Sequence, residues 1–406
     1  MDEAKRAVRR RRVFYVPGYD PFPPRRYREF YRKEGAAQAG ISGYALSMQA
    51  EGLGSGSYMW RVETNIHGLE TEARIKVLVW SDLVQSSMER GIAATYLLMA
   101  RTLWIFLSTR ALGAMIRLRP GPMLTGAWPV GVLTGQLLLA LVAAALVWWG
   151  GAALVGGWVG HLAGLGLGGA VLAGLMRAFR RWDNRIKAYY TLYDFAQVAQ
   201  HRGAFGGALQ ARLEGFAEEV AEALAEDCDE VLVVGHSSGA ALAVSIVAAL
   251  ERRGAASGRA RLALLTLGQA IPMQAFLPEA RQLRADLRQL SASRDTAWVD
   301  VTARGDGICF WLTDPAGVCG VAPDDQIQPL IFSAAFSETL SPGKWREIRR
   351  QFFRLHIQYL AAFERPRDYD YFQITAGPVL LADRYRDRAP SPQVERRAYS
   401  PHRSLP

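Results

Sequence analysis

Val231-Leu232-Val233-Val234-Gly235-His236-Ser237-Ser238-Gly239-Ala240 is the stretch whose reading decides the fold of this chain. Its apolar run has the make-up of a strand buried on both faces. Glycines then stand two positions either side of Ser237, and an Ala-rich, helix-like run follows. A serine on a sharp strand-to-helix turn needs that pattern. Side chains at the glycine positions would collide there, and the turn lifts the serine Oγ above the sheet edge at a helix N-terminus.

Working outward, helix-like and strand-like segments alternate. A helix at 209–225 precedes the strand at 230–234, and a helix at 240–252 follows it. A strand at 262–267, a helix at 278–290 and a strand at 297–302 complete this half. Toward the N-terminus come a strand at 13–16, the turn Pro17-Gly18-Tyr19-Asp20-Pro21 and a helix from 24 to about 33. Strand-like segments at 44–49, 58–64 and 75–80 follow, joined by Gly-rich turns. One of these turns, Gly52-Leu53-Gly54-Ser55-Gly56-Ser57, lacks a following Gly-Lys-Ser/Thr and reads as a hairpin loop, not a phosphate cradle. The alternation predicts an α/β fold, a mostly parallel sheet with helices on both faces. Neither 1–90 nor 188–385 holds enough strands for a sheet of its own, so the two blocks are expected to share one. Residues 386–406, rich in Pro, Ser and Arg, are expected to be a disordered basic tail.

The interruption is residues 91–187. From 120 to 176 there are 57 consecutive residues without Asp, Glu, Lys or Arg. A membrane-spanning helix needs about 20 apolar residues, so two spans are expected, near 128–149 and 153–176. The turn is expected around Gly150, Gly151, Gly156 and Gly157. Gly156, Gly160, Gly164 and Gly168 recur at four-residue spacing and form a face that lets another helix approach closely. His161, near the turn, reads as an interfacial residue. Arg101, Arg110, Arg117 and Arg119 precede the spans, and Arg177, Arg180, Arg181, Arg185 and Lys187 follow them. The positive-inside rule puts both flanks on the cytoplasmic side. Residues 92–118, apolar but broken by Arg101 and Arg110, read as an interfacial helix or lid, with a third span as the alternative.

Composition narrows the function classes. Half of the residues are apolar and 21% charged, which excludes wholesale disorder. The net charge of +10 rests on 43 Arg against five Lys, a bias of the kind a GC-rich genome produces. No helix-turn-helix, finger or RNP pattern accompanies it, so no nucleic-acid partner is expected. Cys228, Cys309 and Cys319 are too few for a disulfide scaffold and lack CxxC spacing, so Cys309 and Cys319 read as buried small hydrophobes. Asp324-Asp325 alone is no metal site, and no cofactor is expected. The N-terminal stretch is charged and has no apolar core of a secretory signal.

The strand–Gly-His-Ser-Ser-Gly–helix stretch resembles the nucleophile elbow of the α/β-hydrolase superfamily, in particular its lipase- and esterase-like members. The resemblance covers most of the chain outside the insertion and the tail. It implies a catalytic triad in chain order Ser, Asp or Glu, His. Ser237 is then the nucleophile. Asp306, in the loop just past the strand at 297–302, is the expected acid, with Asp300 within that strand as the alternative. Of six histidines, His67, His161 and His201 precede the elbow, His236 adjoins it and His402 lies in the tail. His356 remains as the expected general base. One oxyanion-hole donor would be the N–H of Ser238. The second would come from the loop at 17–21, from Tyr19 or Gly18, although Pro17 stands where the family often has His. Leu267-Gly268-Gln269-Ala270-Ile271-Pro272 resembles a stretch lipases carry after this strand and reads as structural.

The expectation is therefore a serine hydrolase anchored in a bacterial inner membrane, facing the cytoplasm and cleaving a carboxylic ester, above all of a lipid. A thioesterase or acyltransferase of the same fold, and a non-catalytic membrane scaffold, are the alternatives. Two uncharged spans argue against a channel.

Overall fold

The computed structural model describes residues 7–21, 23–51, 58–88 and 90–406, and its eight strands form one sheet. The Gly52–Ser57 turn lies outside the described residues. Strand β1 (Arg10–Val16) leads through helix α1 (Arg25–Ser42) into a meander of β2 (Ala45–Glu51), β3 (Met59–Ile66) and β4 (Leu69–Val77). Six helices follow: α2 (Ser81–Met88), α3 (Ile92–Ser108), α4 (Ala111–Leu118), α5 (Pro120–Val155), α6 (Gly157–Ile186) and α7 (Ala188–Gln200). The chain then returns to the sheet as α8 (Gly207–Ala225), β5 (Glu230–His236), α9 (Gly239–Arg252) and β6 (Arg261–Leu267). It continues through α10 (Ile271–Ala275), α11 (Arg281–Ser291), β7 (Ala297–Thr302), α12 (Pro315–Cys319) and β8 (Leu330–Ser333). The short helices α13 (Phe336–Thr339), α14 (Pro342–Ile348) and α15 (Phe352–His356) come next.

The strand order is β2-β3-β4-β1-β5-β6-β7-β8. Only the β2/β3 and β3/β4 pairings are antiparallel. The fold is α/β, as the alternation predicts. From β1 the chain runs to the edge strand β2, builds inward through β3 to β4 beside β1, then crosses to β5 on the other side. The crevice beyond the C-terminal ends of β1 and β5 is thus the topological switch point, where ligands of open α/β sheets bind. The loop at 17–21 and Ser237 both emerge there.

Why these residues form these strands is legible in their burial. All seven residues of β5 are buried, since it lies mid-sheet under helices on both faces. Val231 and Val233 join Leu264 in a core with α8, α9 and α11, while Leu232 and Val234 join Leu265 and Val299 in a second core with Tyr31 of α1 and Phe372. β4 begins at Leu69, earlier than the apolar run at 75–80 suggests. Its first half alternates, with Thr71 and Ala73 inward and Glu70 exposed, as a half-covered strand does. α1 runs past Lys33 to Gly43, whose φ of 72° supplies the left-handed cap. β8 is too short for a periodic signal and has no counterpart in the sequence expectations.

One ion pair locks the opposite end of the sheet. Arg11 on β1 and Glu230 on β5 are fully buried, 2.7 Å apart. Arg11 also donates to the carbonyls of Gly377 and Val379, and Glu230 accepts the Leu381 N–H. Removing one partner strands the other charge in the core. Arg11→Ala is expected to cost about 3–5 kcal/mol, read as a shift of the denaturant midpoint of the purified protein.

The insertion forms a helical hairpin. α5 and α6 are both long and apolar enough to cross a membrane, with little of their surface buried by the rest of the chain. α5 runs without a break through Gly150 and Gly151. The turn lies at Gly156 and Gly157, which take φ of 73° and 55°. The glycine face does allow close approach: a Cβ on Gly164 would lie 2.5 Å from Trp148 O, and one on Gly168 would lie 2.6 Å from Ala144 O. His161 stacks edge-on against Trp148. α3 and α4 are bent by 74° at Thr109–Arg110, with buried Leu98, Ile105 and Met115 on the core side and Leu97 and Trp104 exposed.

The tail is not disordered, which corrects the compositional expectation for 386–406. The Asp314 N–H donates to Glu395 O, the Glu395 N–H donates to Leu312 O, and Tyr399 and Ser400 both donate to Val318 O. Arg284 holds Ser404 O, and His402 reaches Thr109 O. Composition misleads here because these backbone groups find fixed partners on α12 and its flanks, so the segment needs little apolar content of its own.

Candidate active site

The elbow is built as its sequence requires. Ser237 has a φ of 59°, a left-handed conformation that a non-glycine residue adopts at a cost. Its N–H donates to Leu267 O and its carbonyl accepts from Ala270, so β6 and the loop after it hold the strained turn in place. A Cβ on Gly235 would lie 2.7 Å from Ala240 Cα, and one on Gly239 would lie 2.4 Å from Pro17 O. The second glycine therefore decides how closely the loop at 17–21 approaches Ser237. Gly239→Ala is expected to push that loop outward. A misplacement of about 1 Å at a reacting centre costs on the order of 10²-fold. A loss of that order in kcat, with a soluble folded protein by circular dichroism, checks this expectation.

The structure brings Gly18, Tyr19 and Ser238 together around Ser237. A Cβ on Gly18 would lie 3.0 Å from Ser237 Cβ. The Tyr19 N–H donates to Ser238 Oγ at 2.9 Å. The loop is pinned from both sides, with Trp80 Nε1 donating to Pro17 O and Tyr190 Oη to Tyr19 O.

On the other side of the elbow, His356 Nδ1 and Asp306 Oδ2 are 2.7 Å apart, both buried. A carboxylate facing Nδ1 fixes the tautomer with the proton on Nδ1 and the lone pair on Nε2. His356 Nε2 is buried and has no hydrogen-bond partner. His356 Cε1, next to that nitrogen, lies 3.2 Å from the Cβ position of Gly268, the residue after the Leu267 that accepts the Ser237 N–H. The imidazole thus sits beside the elbow, and among the described residues no hydrogen bond joins it to Ser237. Such contacts commonly tighten only with substrate bound.

Electrostatics separates the two candidate acids. Burial alone would raise the Asp306 carboxyl, but the His356 charge and hydrogen bond, with the Ile308 N–H, outweigh it and hold the group below the usual range. Tyr359 Oη donates to the same Oδ2 at 3.1 Å. Asp300 lies inside β7, where burial pushes it up to about 8, and its Oδ1 accepts from Thr266 at 2.6 Å. No hydrogen bond links it to His356 among the described residues. Gln269 braces the acid loop by donating to Phe310 O and Thr313 Oγ1.

Three further side chains lie near the pair. Tyr359 stands three positions after His356, a spacing that would have suggested it. His236 donates from Nε2 to His356 O at 3.0 Å. Burial, then His356, pushes it down to about 3, so it stays neutral and serves as a fixed donor. Burial pushes the carboxyl of Asp194 on α7 up to about 7, and nothing in the helical run around it marks it. Cys228, Cys309 and Cys319 are buried free thiols.

The helical hairpin abuts the site at both of its ends. Thr125 Oγ1 near the start of α5 donates to Gly307 O in the acid loop, and α6 runs into α7, which carries Tyr190. A surface cleft of about 600 Å³ lies at the opposite end of the strands around Glu230, Arg261 and Thr296, away from Ser237.

A family model described as Thioesterase domain matches residues 171–299. The match spans the end of the hairpin, the elbow and the first half of β7, and stops short of Asp306 and His356. No curated protein matches the chain, and no solved structure does. That family belongs to the α/β-hydrolase superfamily, and the match agrees with the sheet and elbow described above, pointing to hydrolysis of an ester or thioester.

Proposed function

We propose that this chain is a membrane-anchored serine hydrolase that cleaves an acyl ester or thioester with an apolar acyl chain. The observation that carries the reading is the buried Asp306–His356 pair beside a serine on a strained turn. His356 Nε2 takes the Ser237 proton as Oγ attacks the acyl carbon, and Asp306 stabilises the imidazolium. N–H groups of Ser238 and of Tyr19 or Gly18 receive the oxyanion. The bond from the acyl carbon to oxygen or sulfur breaks, and His356 returns its proton to the leaving group. Water then cleaves the Ser237 ester by the same route.

The Thioesterase-domain match supports a thioester on equal terms with the lipid ester. Exposed apolar side chains between the site and the hairpin, among them Leu124, Trp128 and Phe352, support an acyl chain drawn from the bilayer. The arginines at both charged ends of the hairpin support a cytoplasmic site on a bacterial inner membrane. Purified protein in lipid nanodiscs, given matched esters and thioesters of short and long acyl chains, tests this. Hydrolysis that favours long chains and is lost in Ser237→Ala is expected. A folded wild type that hydrolyses none of them, or an equally active Ser237→Ala variant, would overturn it.

A further inference from the structure

The two roots of the helical hairpin hold different parts of the site. At the α5 root, the Arg119 guanidinium lies 3.8 Å over the Trp311 ring, and its Nε donates to Trp311 O at 2.9 Å. Its Nη2 donates to Leu312 O at 3.3 Å. Thr125 Oγ1 donates to Gly307 O at 3.3 Å, and a Cβ on Gly121 would lie 3.3 Å from the same oxygen. The loop that carries Asp306 is therefore gripped at two places by the start of α5.

At the other root, Lys187 has a φ of 57° and turns α6 into α7, and Asp183 Oδ1 accepts the Tyr189 N–H at 3.0 Å across this corner. Tyr190 follows. Its Oη donates to Tyr19 O at 2.6 Å, and its ring packs edge-on against Phe353, 5.9 Å away on the helix that carries His356. The Lys187 ammonium lies 5.6 and 5.5 Å from the centres of those two rings, within cation–π range. Trp128 Nε1 on α5 donates to Ile186 O at 3.1 Å and ties the roots together. The acid loop, the His356 helix and the loop at 17–21 thus all touch the hairpin roots. We infer that Arg119 and Tyr190 are positioning residues through which the seating of the hairpin in the bilayer sets the catalytic geometry, so that bilayer thickness regulates the rate. The inference rests on the membrane-anchored hydrolase reading above.

Helix length carries the argument. α5 is one helix of 36 residues, continuous through Pro129. At 1.5 Å per residue it is about 54 Å long, well beyond the about 30 Å of a hydrocarbon core. Gly168 packs on Ala144 and Gly164 on Trp148, and extending that register sets Arg177, the first arginine of α6, about level with Gly135. From Gly135 to Val155 there is about 30 Å of helix, enough to fill the core. Thr125, which holds the acid loop, stands about 15 Å outside it. Little of either span is buried by the rest of the chain, so the bilayer sets their angle. Spans tilt to match the thickness around them, and a tilt of about 10° moves a point 15 Å away by about 2–3 Å. A misplacement of about 1 Å at the reacting centre already costs on the order of 10²-fold.

The test is the rate at which a short-chain, water-soluble fluorophosphonate modifies Ser237 in the full-length protein, so that delivery from the bilayer plays no part. Nanodiscs of phosphatidylcholines with hydrocarbon cores thinner than, equal to and thicker than about 30 Å are compared. Wild type is expected to be fastest in the matched discs and about 10- to 100-fold slower in the others. Tyr190→Phe keeps the ring and releases the Tyr19 carbonyl, and Arg119→Lys keeps the charge and loses the stacked fork. Each is expected to slow the reaction about tenfold in matched discs at an unchanged half-saturating concentration. The double variant is expected to lose the thickness dependence. A labelled wild type whose rate is the same in all three discs overturns the inference and leaves the hydrolase reading intact. So does a single variant that matches wild type, or a double variant, folded by circular dichroism, that keeps the full thickness dependence. A folded wild type that never labels overturns both.

Discussion

Ser237→Ala is expected to lower turnover of an acyl ester or thioester by about 10⁶-fold, the scale on which removal of a triad serine acts. The size follows from the arrangement. His356 Nε2 is buried and has no partner among the described residues, so none of their hydroxyls competes with Ser237 for it. What remains is the effect of binding and of the oxyanion donors, roughly 10³–10⁴ over water. Ser237 also stores backbone strain at its φ of 59°. Ser237→Gly is therefore expected to be as inactive as the alanine variant but more stable, by about 1 kcal/mol, since glycine adopts this region freely. Single-turnover assays and paired denaturant titrations of the two variants check both halves.

Asp306→Asn is expected to lower kcat by about 10⁴-fold, and Asp300→Asn by no more than a few-fold. The amide at 306 would present a donor toward Nδ1, favour the wrong tautomer and leave the imidazolium without its counter-charge. The carboxylate it replaces is held ionised by His356 and by the Ile308 N–H. Asp300, by contrast, is pushed up to about 8 by burial inside β7, so at neutral pH it is already uncharged. An amide there is close to isosteric with the protonated acid and can still accept from Thr266. Steady-state kinetics of the two variants side by side separates the acids, whatever the substrate proves to be.

The elements that were legible in the sequence are those whose local pattern leaves little choice. The elbow is one, because its apolar strand and flanking glycines answer a steric demand at a single turn. The acid loop is another: Ala303–Gly307 directly follows a strand, and the structure carries Asp306 from it onto His356. His356 itself was reached by elimination, since its five-residue helix has no signature of its own. The contact of His236 with His356 O was not legible, because it is made across a packing interface that sequence spacing does not encode. The tail misled for the opposite reason. Its Pro- and Arg-rich composition is that of a solvated segment, but its backbone finds partners on Leu312, Asp314 and Val318. Of the four glycines expected around the hairpin turn, Gly156 and Gly157 form it while Gly150 and Gly151 stay helical, because glycine is tolerated inside an apolar helix and only the positive-φ pair reverses the chain.

The central claim is that Ser237 is an activated nucleophile, and covalent trapping tests it most directly. Full-length protein in nanodiscs would be treated with a fluorophosphonate, and the modified residue located by peptide mass spectrometry. A single adduct on Ser237 is expected, absent from Ser237→Ala and formed far more slowly in His356→Ala. A folded wild-type protein that stays unmodified, or one modified at a different serine, would contradict it.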